Sequence, residues 1–371
     1  MRVGVPAEIK DNEFRVAITP AGAHALTRRG HAVTVQAGAG EGAAIPDEEY
    51  VAAGAAITDD VAALWADSEM ILKVKEPVEG EYPLLRPDLI LFTYLHLAAD
   101  RPLTDELLSR RVTSIAYETV ATDTGALPLL APMSEIAGRL AAQVGADALL
   151  RPHGGAGVLL GGAAGVRRGD VVVLGGGTAG LAAARVSAGM GADVTVFDVA
   201  PARMRHIEEV TGGAIRTRLS TELDVARACA GADLVIGAVL VPGARTPRLV
   251  TREMVRAMRP GSVLVDIAID QGGCFEDSRP TTHSEPTFEV EGSIFYCVAN
   301  MPGAVPHTST YALTNATLTY ALALADDGWR GACRARAELG RGLSTHDGVL
   351  YTEGVGRALG LKTADAAALL A

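Results

Sequence analysis

The sequence predicts an α/β protein built from two doubly wound, parallel-sheet domains, the second inserted into a discontinuous first. Three observations predict it. Short β-rich runs alternate with helical ones through the first third of the chain. A glycine-rich turn at residues 175–180 lies between a strand-like run and a helix-compatible one. Regular structure then breaks at Met301-Pro302-Gly303-Ala304-Val305-Pro306 before a further long helical pattern. At 371 residues the chain exceeds one ordinary hydrophobic core. The expected division is 1–130 plus 305–371 as one domain and 131–304 as the other.

In the first domain, residues 32–35, 70–74 and 89–94 have strand length and are bounded by turn or polar residues. Helical patterns at 20–29 and 47–55 lie among them. Strand, helix and strand repeated in this way imply a parallel sheet covered by helices on its faces. Polar residues gather in the connections. Lys10 to Pro20 is a polar loop containing Arg15 and ending at a helix start. Lys73-Val74-Lys75-Glu76-Pro77 closes one strand and Thr93-Tyr94-Leu95-His96 the next. Lys75 and His96 are therefore expected side by side at the ends of neighbouring parallel strands. A lone lysine or arginine is usually a solvated charge and a lone histidine usually structural; the joint position singles these out.

Residues 134–150 read as a long helix with Ser134 as its N-cap. A glycine-rich loop, 153–165, follows, and a second α/β series begins at Asp170. There, Val171-Val172-Val173-Leu174 runs directly into Gly175-Gly176-Gly177-Thr178-Ala179-Gly180 and a helix-compatible stretch. Gly175, Gly177 and Gly180 fill the G-x-G-x-x-G positions: one for a tight turn, one for backbone approach to a pyrophosphate, one for close helix–strand packing. The motif alone is weak in a chain with 42 glycines, but here it has its strand before and its helix after. The next strand, 193–197, ends at Asp198, the spacing of an acid that binds the adenosine ribose. The inserted domain is thus expected to be a Rossmann-like dinucleotide-binding domain. A carboxylate at Asp198 repels a 2′-phosphate and favours NAD over NADP, with Arg203 and Arg205 downstream softening that preference. Two further strands carry features at their carboxyl ends, where ligands of open α/β sheets bind. Residues 234–238 lead into Val239 and Leu240, an apolar edge suited to a nicotinamide. Residues 263–269 lead into Asp270, a carboxylate expected at the strand end. Another long helix is expected at 309–326.

Composition narrows the function classes. A net charge of −11 opposes non-specific binding to nucleic acid or anionic lipid, and 4 % aromatics leave little for base stacking. The longest apolar stretch, 154–166, is half a membrane span and glycine-rich, so no membrane partner is expected. Met1-Arg2-Val3-Gly4-Val5-Pro6 opens directly into a strand-like segment with no room for a leader, giving a cytoplasmic expectation. Cys229, Cys274, Cys297 and Cys333 are widely spaced, and neither they nor the histidines show ligand spacing, so no metal is expected.

Several segments together resemble the alanine dehydrogenase and transhydrogenase α-subunit family. They are Glu13-Phe14-Arg15-Val16-Ala17-Ile18-Thr19-Pro20, Lys75-Glu76-Pro77, Tyr94-Leu95-His96, Pro132-Met133-Ser134-Glu135-Ile136-Ala137-Gly138 and the glycine run from Gly154. Asp270-Gln271-Gly272-Gly273, Asn300-Met301-Pro302-Gly303 and the stretch from Thr308 to Asn315 continue the likeness. It covers nearly the whole chain and implies an NAD-dependent oxidoreductase interconverting L-alanine with pyruvate and ammonium. It implies that Arg15 and Lys75 bind the substrate carboxylate and polarise the keto oxygen, that His96 is general acid and base, and that Asp270 is a second catalytic residue. Cofactor contacts would come from Met133, Ser134, Gly175, Gly177, Thr178, Ala179, Gly180, Asp198, Arg203, Ser220, Val239 and Leu240. Ile267, Asp270, Arg279, Val298, Asn300 and Met301 complete that set. A homohexamer is implied as well. The alternatives are a transhydrogenase nucleotide-binding subunit, expected to lack the Lys75–His96 pairing, a saccharopine-type dehydrogenase with a larger pocket, and a catalytically inactive NAD sensor.

Overall fold

Valine- and isoleucine-rich runs early in the chain form a sheet whose strands are Arg2–Val5, Ala32–Gln36, Ala56–Thr58, Met70–Leu72, Ile90–Thr93 and Thr113–Ala116. The structure, a computed structural model, describes residues 1–239 and 246–371. Its two compact units are Met1–Met133 with Gly303–Ala371, and Ser134–Pro302. Taking those six strands in chain order, they lie as 3-2-1-4-5-6, all parallel. This is the doubly wound order, and it reverses between Arg2–Val5 and Met70–Leu72. The C-terminal strands Leu343–His346 and Val349–Leu350 extend the far edge antiparallel, next to Thr113–Ala116.

The helices start where local chemistry favours them. Pro20–Thr27 has Thr19 as N-cap, its hydroxyl accepting from the Gly22 amide, and Pro20 in the first turn. Asp47–Ala52 concentrates Asp47, Glu48 and Glu49 at its positive end. Two expected boundaries are corrected. The helix expected from Ser134 runs Ala131–Ala148, so Ser134 is inside its first turns and not its N-cap. Pro132 marks the true start, because its fixed φ and missing N–H suit a first turn. The helix expected from Ser309 begins at Pro306 for the same reason and runs as Pro306–Ala335, through a break at Gly328 (φ 65°) that a left-handed glycine accommodates.

The second unit has the order 3-2-1-4-5-6 again, from Asp170–Leu174, Asp193–Asp198, Arg216–Leu219, Leu234–Gly237, Val263–Asp266 and Ser293–Tyr296. Thr287–Val290 pairs antiparallel on the outer edge. Side chains alternate across the sheet. Val171, Val173, Leu234, Ile236, Val263 and Val265 enter one core, while Val172, Leu174, Val235 and Leu264 enter the other. Burial on both faces explains the unbroken apolar runs of these strands. Among the described residues no helix is long and apolar enough to cross a membrane.

Candidate active site

In the first unit, chemistry collects at the carboxyl ends of the strands around the topological switch point, where open α/β sheets place ligands. Strand Met70–Leu72 continues into Lys73, which is buried and paired with Glu8 (3.1 Å) and Glu81 (2.9 Å). Glu8 also accepts the Val74 amide at 2.6 Å, and Glu81 that of Val78 at 3.0 Å. Burial opposes the charge of Lys73, but its two carboxylates outweigh that and raise its pKa. Lys73 is committed to this buried cluster.

Lys75, two residues on, is 8 % exposed. Its carbonyl accepts the Thr93 hydroxyl at 2.9 Å, which ties its backbone to the neighbouring strand. Glu76 follows, buried between two partners: Oε1 pairs with the Lys10 ammonium, and Oε2 lies 3.3 Å from His96 Nδ1. Burial alone would raise the Glu76 pKa. The His96 hydrogen bond, the Lys75 charge and Lys10 reverse this and hold it well below the usual carboxylate range.

His96 has a left-handed backbone (φ 50°, ψ 32°). A histidine there is strained, and the structure over-determines it. Glu118 Oε1 accepts both the His96 amide (2.6 Å) and the Leu95 amide (3.2 Å). The Tyr94 ring stacks on the imidazole at 5.9 Å between centroids, and its hydroxyl donates to the Leu129 carbonyl at 2.6 Å. Burial pushes the Tyr94 phenol up, against the opposing charge of Arg15 nearby.

Arg15 is 2 % exposed. Its Nε and Nη2 clasp the Glu13 carboxylate, the Nε contact at 2.6 Å, while Nη1 lies 3.1 Å from Met133 Sδ. Arg15, Lys75 and His96 are thus brought into one charged neighbourhood through Tyr94 and Glu76. Sequence reasoning missed the carboxylates that hold them: Glu13, Glu76 and Glu118. Glu13 and Glu76 lay beside the residues singled out, and their spacing was the available signal. Nothing local in the sequence links Glu118 to His96.

In the second unit, each glycine of the motif meets its own constraint. Gly175 has φ 100°, and a Cβ on Gly180 would lie 1.7 Å from the Gly175 carbonyl oxygen. A Cβ on Gly177 would meet no protein atom within 4 Å. That open approach borders the N-terminus of Thr178–Gly189, which no side chain caps, and a pyrophosphate fits there. Gly138 brings its own helix against the same turn, where a Cβ would lie 2.1 Å from the Ala179 carbonyl oxygen. Asp198 is buried at the end of its strand. It accepts from the Gly176 amide (2.7 Å) and the Ala200 amide (2.8 Å), with Arg203 Nη1 at 3.5 Å. The Ser220 amide donates to the Asp198 carbonyl at 2.9 Å, placing Ser220 beside it.

The remaining positions spread along the same carboxyl edge. Val239 adjoins Gly175, and the Ile267 amide donates to the Gly237 carbonyl at 2.9 Å. Val298 and Met301 are buried; Asn300 takes a left-handed conformation, φ 63°. Arg279 is exposed and stacks over Phe288 at 4.1 Å. Leu240 lies outside the described residues. One expectation is corrected: strand Val263–Asp266 ends at Asp266, and Asp270 follows on the exposed side of the turn Ile269–Gln271. Asp266 is the strand-end carboxylate. Burial raises its pKa, and it is fixed by Cys274 N (2.8 Å), Ala268 N (3.0 Å) and the Ser278 hydroxyl. Among the described residues no cluster of histidine, cysteine and acidic side chains is arranged to hold a metal ion.

Residues 4–137 match the family described as Alanine dehydrogenase/PNT, N-terminal domain, and residues 141–353 its C-terminal domain. The chain belongs to the alanine dehydrogenase/PNT family. It is 62 % identical, over the whole of both chains, to an alanine dehydrogenase of Mycolicibacterium smegmatis, and 60 % to one of Mycobacterium tuberculosis, again at full coverage. Among solved structures, an L-alanine dehydrogenase superposes with a TM-score of 0.93 at 48 % identity, covering 97 % of this chain and 99 % of that one. A transhydrogenase from Sinorhizobium meliloti superposes with a TM-score of 0.79 at 28 % identity, covering 94 % and 98 %. Membership makes this chain an oxidoreductase of nicotinamide-dependent type.

Proposed function

We propose that this chain catalyses the reversible, NAD-dependent oxidative deamination of L-alanine to pyruvate and ammonium, with Arg15, Lys75 and His96 serving the substrate. Full-length relatives at 60 % and 62 % identity support the activity. The observation that carries the residue roles is the convergence of Lys75 and His96 at adjacent strand ends, with buried Arg15 linked through Tyr94.

The bound nicotinamide supplies the hydride acceptor and donor; the protein supplies orientation and proton transfer. Arg15, fixed by Glu13, and Lys75 fit a carboxylate and the developing charge on a keto oxygen. Fixed cations in a low-dielectric site cost no reorganisation when that charge develops. His96 has an imidazole edge free of Glu76, and imidazole can both remove and return a proton near neutrality. The role of Asp270 as second catalytic residue rests on the family resemblance, as does the homohexamer. A sizing measurement giving a monomer would remove the hexamer.

NAD, as against NADP, is supported by Asp198. Its carboxylate sits at the strand end beside the glycine turn, where a 2′-phosphate would meet a negative charge. Arg203, exposed and 3.5 Å from Asp198, is already drawn to that carboxylate.

The test is to supply NADH, pyruvate and ammonium and follow the NADH absorbance, with His96→Ala alongside. Ammonium-dependent oxidation that disappears in the variant is the expected result. NADH binding without turnover would refute the alanine reading and favour a transhydrogenase-like role.

A further inference from the structure

We propose that Glu76 is the positioning residue for His96, orienting its imidazole through Nδ1 so that Nε2 is the nitrogen that exchanges protons with the substrate. The proposal deepens the functional reading above and rests on His96 being the general acid and base.

The backbone brings the two residues together. Strands Met70–Leu72 and Ile90–Thr93 are parallel, with Leu72 paired to Phe92. Glu76 and His96 lie equally far beyond that pair, so adjacent strand ends deliver them to the same level. Glu76 Oε2 then lies 3.3 Å from Nδ1, while Oε1 is taken by Lys10. The Glu76 side chain is 10 % exposed and that of His96 37 %. The ring is therefore anchored on its inner side, and among the described residues Nε2 has no hydrogen-bond partner.

The main chain at His96 has little freedom to choose another ring orientation. Glu118 holds the Leu95 and His96 amides and fixes the left-handed backbone, while Tyr94 covers one face of the ring. What remains is rotation of the imidazole, and Glu76 decides it. A proton on Nδ1 is donated to Glu76, which leaves the lone pair on Nε2. When Nε2 takes a proton from the substrate, the resulting imidazolium faces an anion. The charged groups around the ring are Glu76, Lys75, Lys10 and Glu118, with Arg15 behind Tyr94. Glu76 is kept ionised by its hydrogen bond to His96 and by Lys75 and Lys10, against burial.

A merely structural Glu76, tying the Lys10 loop to the sheet, would predict something different. The discriminating readout is the pH profile of kcat/KM for L-alanine at saturating NAD, in wild type, Glu76→Gln and Lys10→Met. Glu76→Gln keeps the shape and removes the anion, so the acid limb moves to lower pH by about one unit, as expected for losing one adjacent opposite charge. Its kcat falls at least about tenfold while KM for alanine changes far less. Lys10→Met removes a cation that neutralises Glu76, so the acid limb moves to higher pH. Opposite shifts support the proposal. Unmoved limbs, or shifts in the same direction, overturn it. Should Glu76→Gln fail to fold, Lys10→Met decides alone, because the Lys10 side chain is 42 % exposed and its loss leaves no buried void. A wild-type protein inactive on alanine would overturn the functional reading itself. Wild-type activity with unmoved profiles would overturn the role of Glu76 alone.

Discussion

Replacing Gly177 by alanine separates cofactor binding from stability, because the position has room in the protein and a role only toward a ligand. Its backbone (φ −73°, ψ −167°) is extended and open to any residue, and a Cβ there meets no protein atom within 4 Å. Two small effects on folding oppose each other. Alanine lowers the entropy of the unfolded chain and stabilises by about 0.4–1 kcal/mol at a compatible site. Alanine is a poorer N-cap than glycine, by roughly 0.5–1 kcal/mol, and Gly177 is the N-cap of Thr178–Gly189. The sum is close to zero, so Tm should stay within about 4 °C of wild type. Toward a dinucleotide the added methyl occupies the space through which the pyrophosphate approaches the helix N-terminus. Overpacking of this kind costs about 1–3 kcal/mol, which is roughly a fivefold to 150-fold weaker NADH affinity.

The assay is NADH titration by fluorescence or calorimetry, with Tm measured on the same samples. Gly180→Ala is the contrast. Its Cβ would lie 1.7 Å from the Gly175 carbonyl oxygen, so the turn must move and both readouts should fall. An NADH Kd for Gly177→Ala within about twofold of wild type, at unchanged Tm, would refute the glycine turn as the pyrophosphate site.

Other consequences follow from charges buried in each unit. Lys73→Met leaves Glu8 and Glu81 facing each other in the interior, and should cost about 3–5 kcal/mol in urea denaturation, the usual result of removing one partner of a buried ion pair. Asp233, 2 % exposed, accepts from Arg167 (2.6 and 2.8 Å) and the Asp170 amide (2.9 Å), with Arg259 at 3.3 Å. Burial opposes its ionisation, but these partners hold its pKa below the ordinary value. Its contribution is therefore present above the unfolded pKa of about 3.9 and lost as pH falls through the lower folded value. The stability difference between wild type and Asp233→Asn should be constant near neutrality and shrink on acidification below about pH 4; a difference that grows in acid would contradict the sign. Gly138→Ala should lower stability and NADH affinity together, since its Cβ would lie 2.1 Å from the Ala179 carbonyl oxygen beneath the cofactor turn.

What was legible in the sequence had a local cause. The central strands of both sheets are short apolar runs with turn residues at their ends, while polar edge strands such as Arg216–Leu219 carry no such signal, and residues 171–180 declare strand, turn and helix in immediate succession. Parallel pairing brings the two strand ends together, and the Leu72–Phe92 register sets Glu76, the residue after Lys75, level with His96. Features that depended on tertiary partners were less visible. Ser134 has the chemistry of an N-cap, but Pro132 and the Leu127 carbonyl, which accepts the Ala131 amide at 2.9 Å, start the helix earlier. Asp266 looked like an ordinary strand residue because the amides that bond it come from Ala268, where the following turn begins, and from Cys274 beyond that turn. The strand therefore ends four residues before Asp270. Glu118 reaches the His96 amide across 22 residues of chain, and no periodicity signals that bond.

Both units share the strand order 3-2-1-4-5-6, yet they fill the reversal point differently. In the second, the first strand turns through Gly175–Gly180 straight into a helix, so main-chain amides face the place a phosphate would take. In the first, strand Arg2–Val5 is separated from its helix Pro20–Thr27 by a long polar loop. That loop carries Glu8, Lys10, Glu13 and Arg15, and their side chains occupy the corresponding ground: Glu8 reaches Lys73, Lys10 reaches Glu76, and Glu13 clasps Arg15. No glycine turn there brings bare amides to a pyrophosphate. The same strand order thus carries an uncapped helix start at the reversal point of one unit and paired charged side chains at that of the other, a difference that lies in the first connection. NADH should bind with a stoichiometry of one per chain. A second NADH per chain would show that the polar loop does not exclude a dinucleotide, and the substrate role of Arg15 and Lys75 would lose its structural basis.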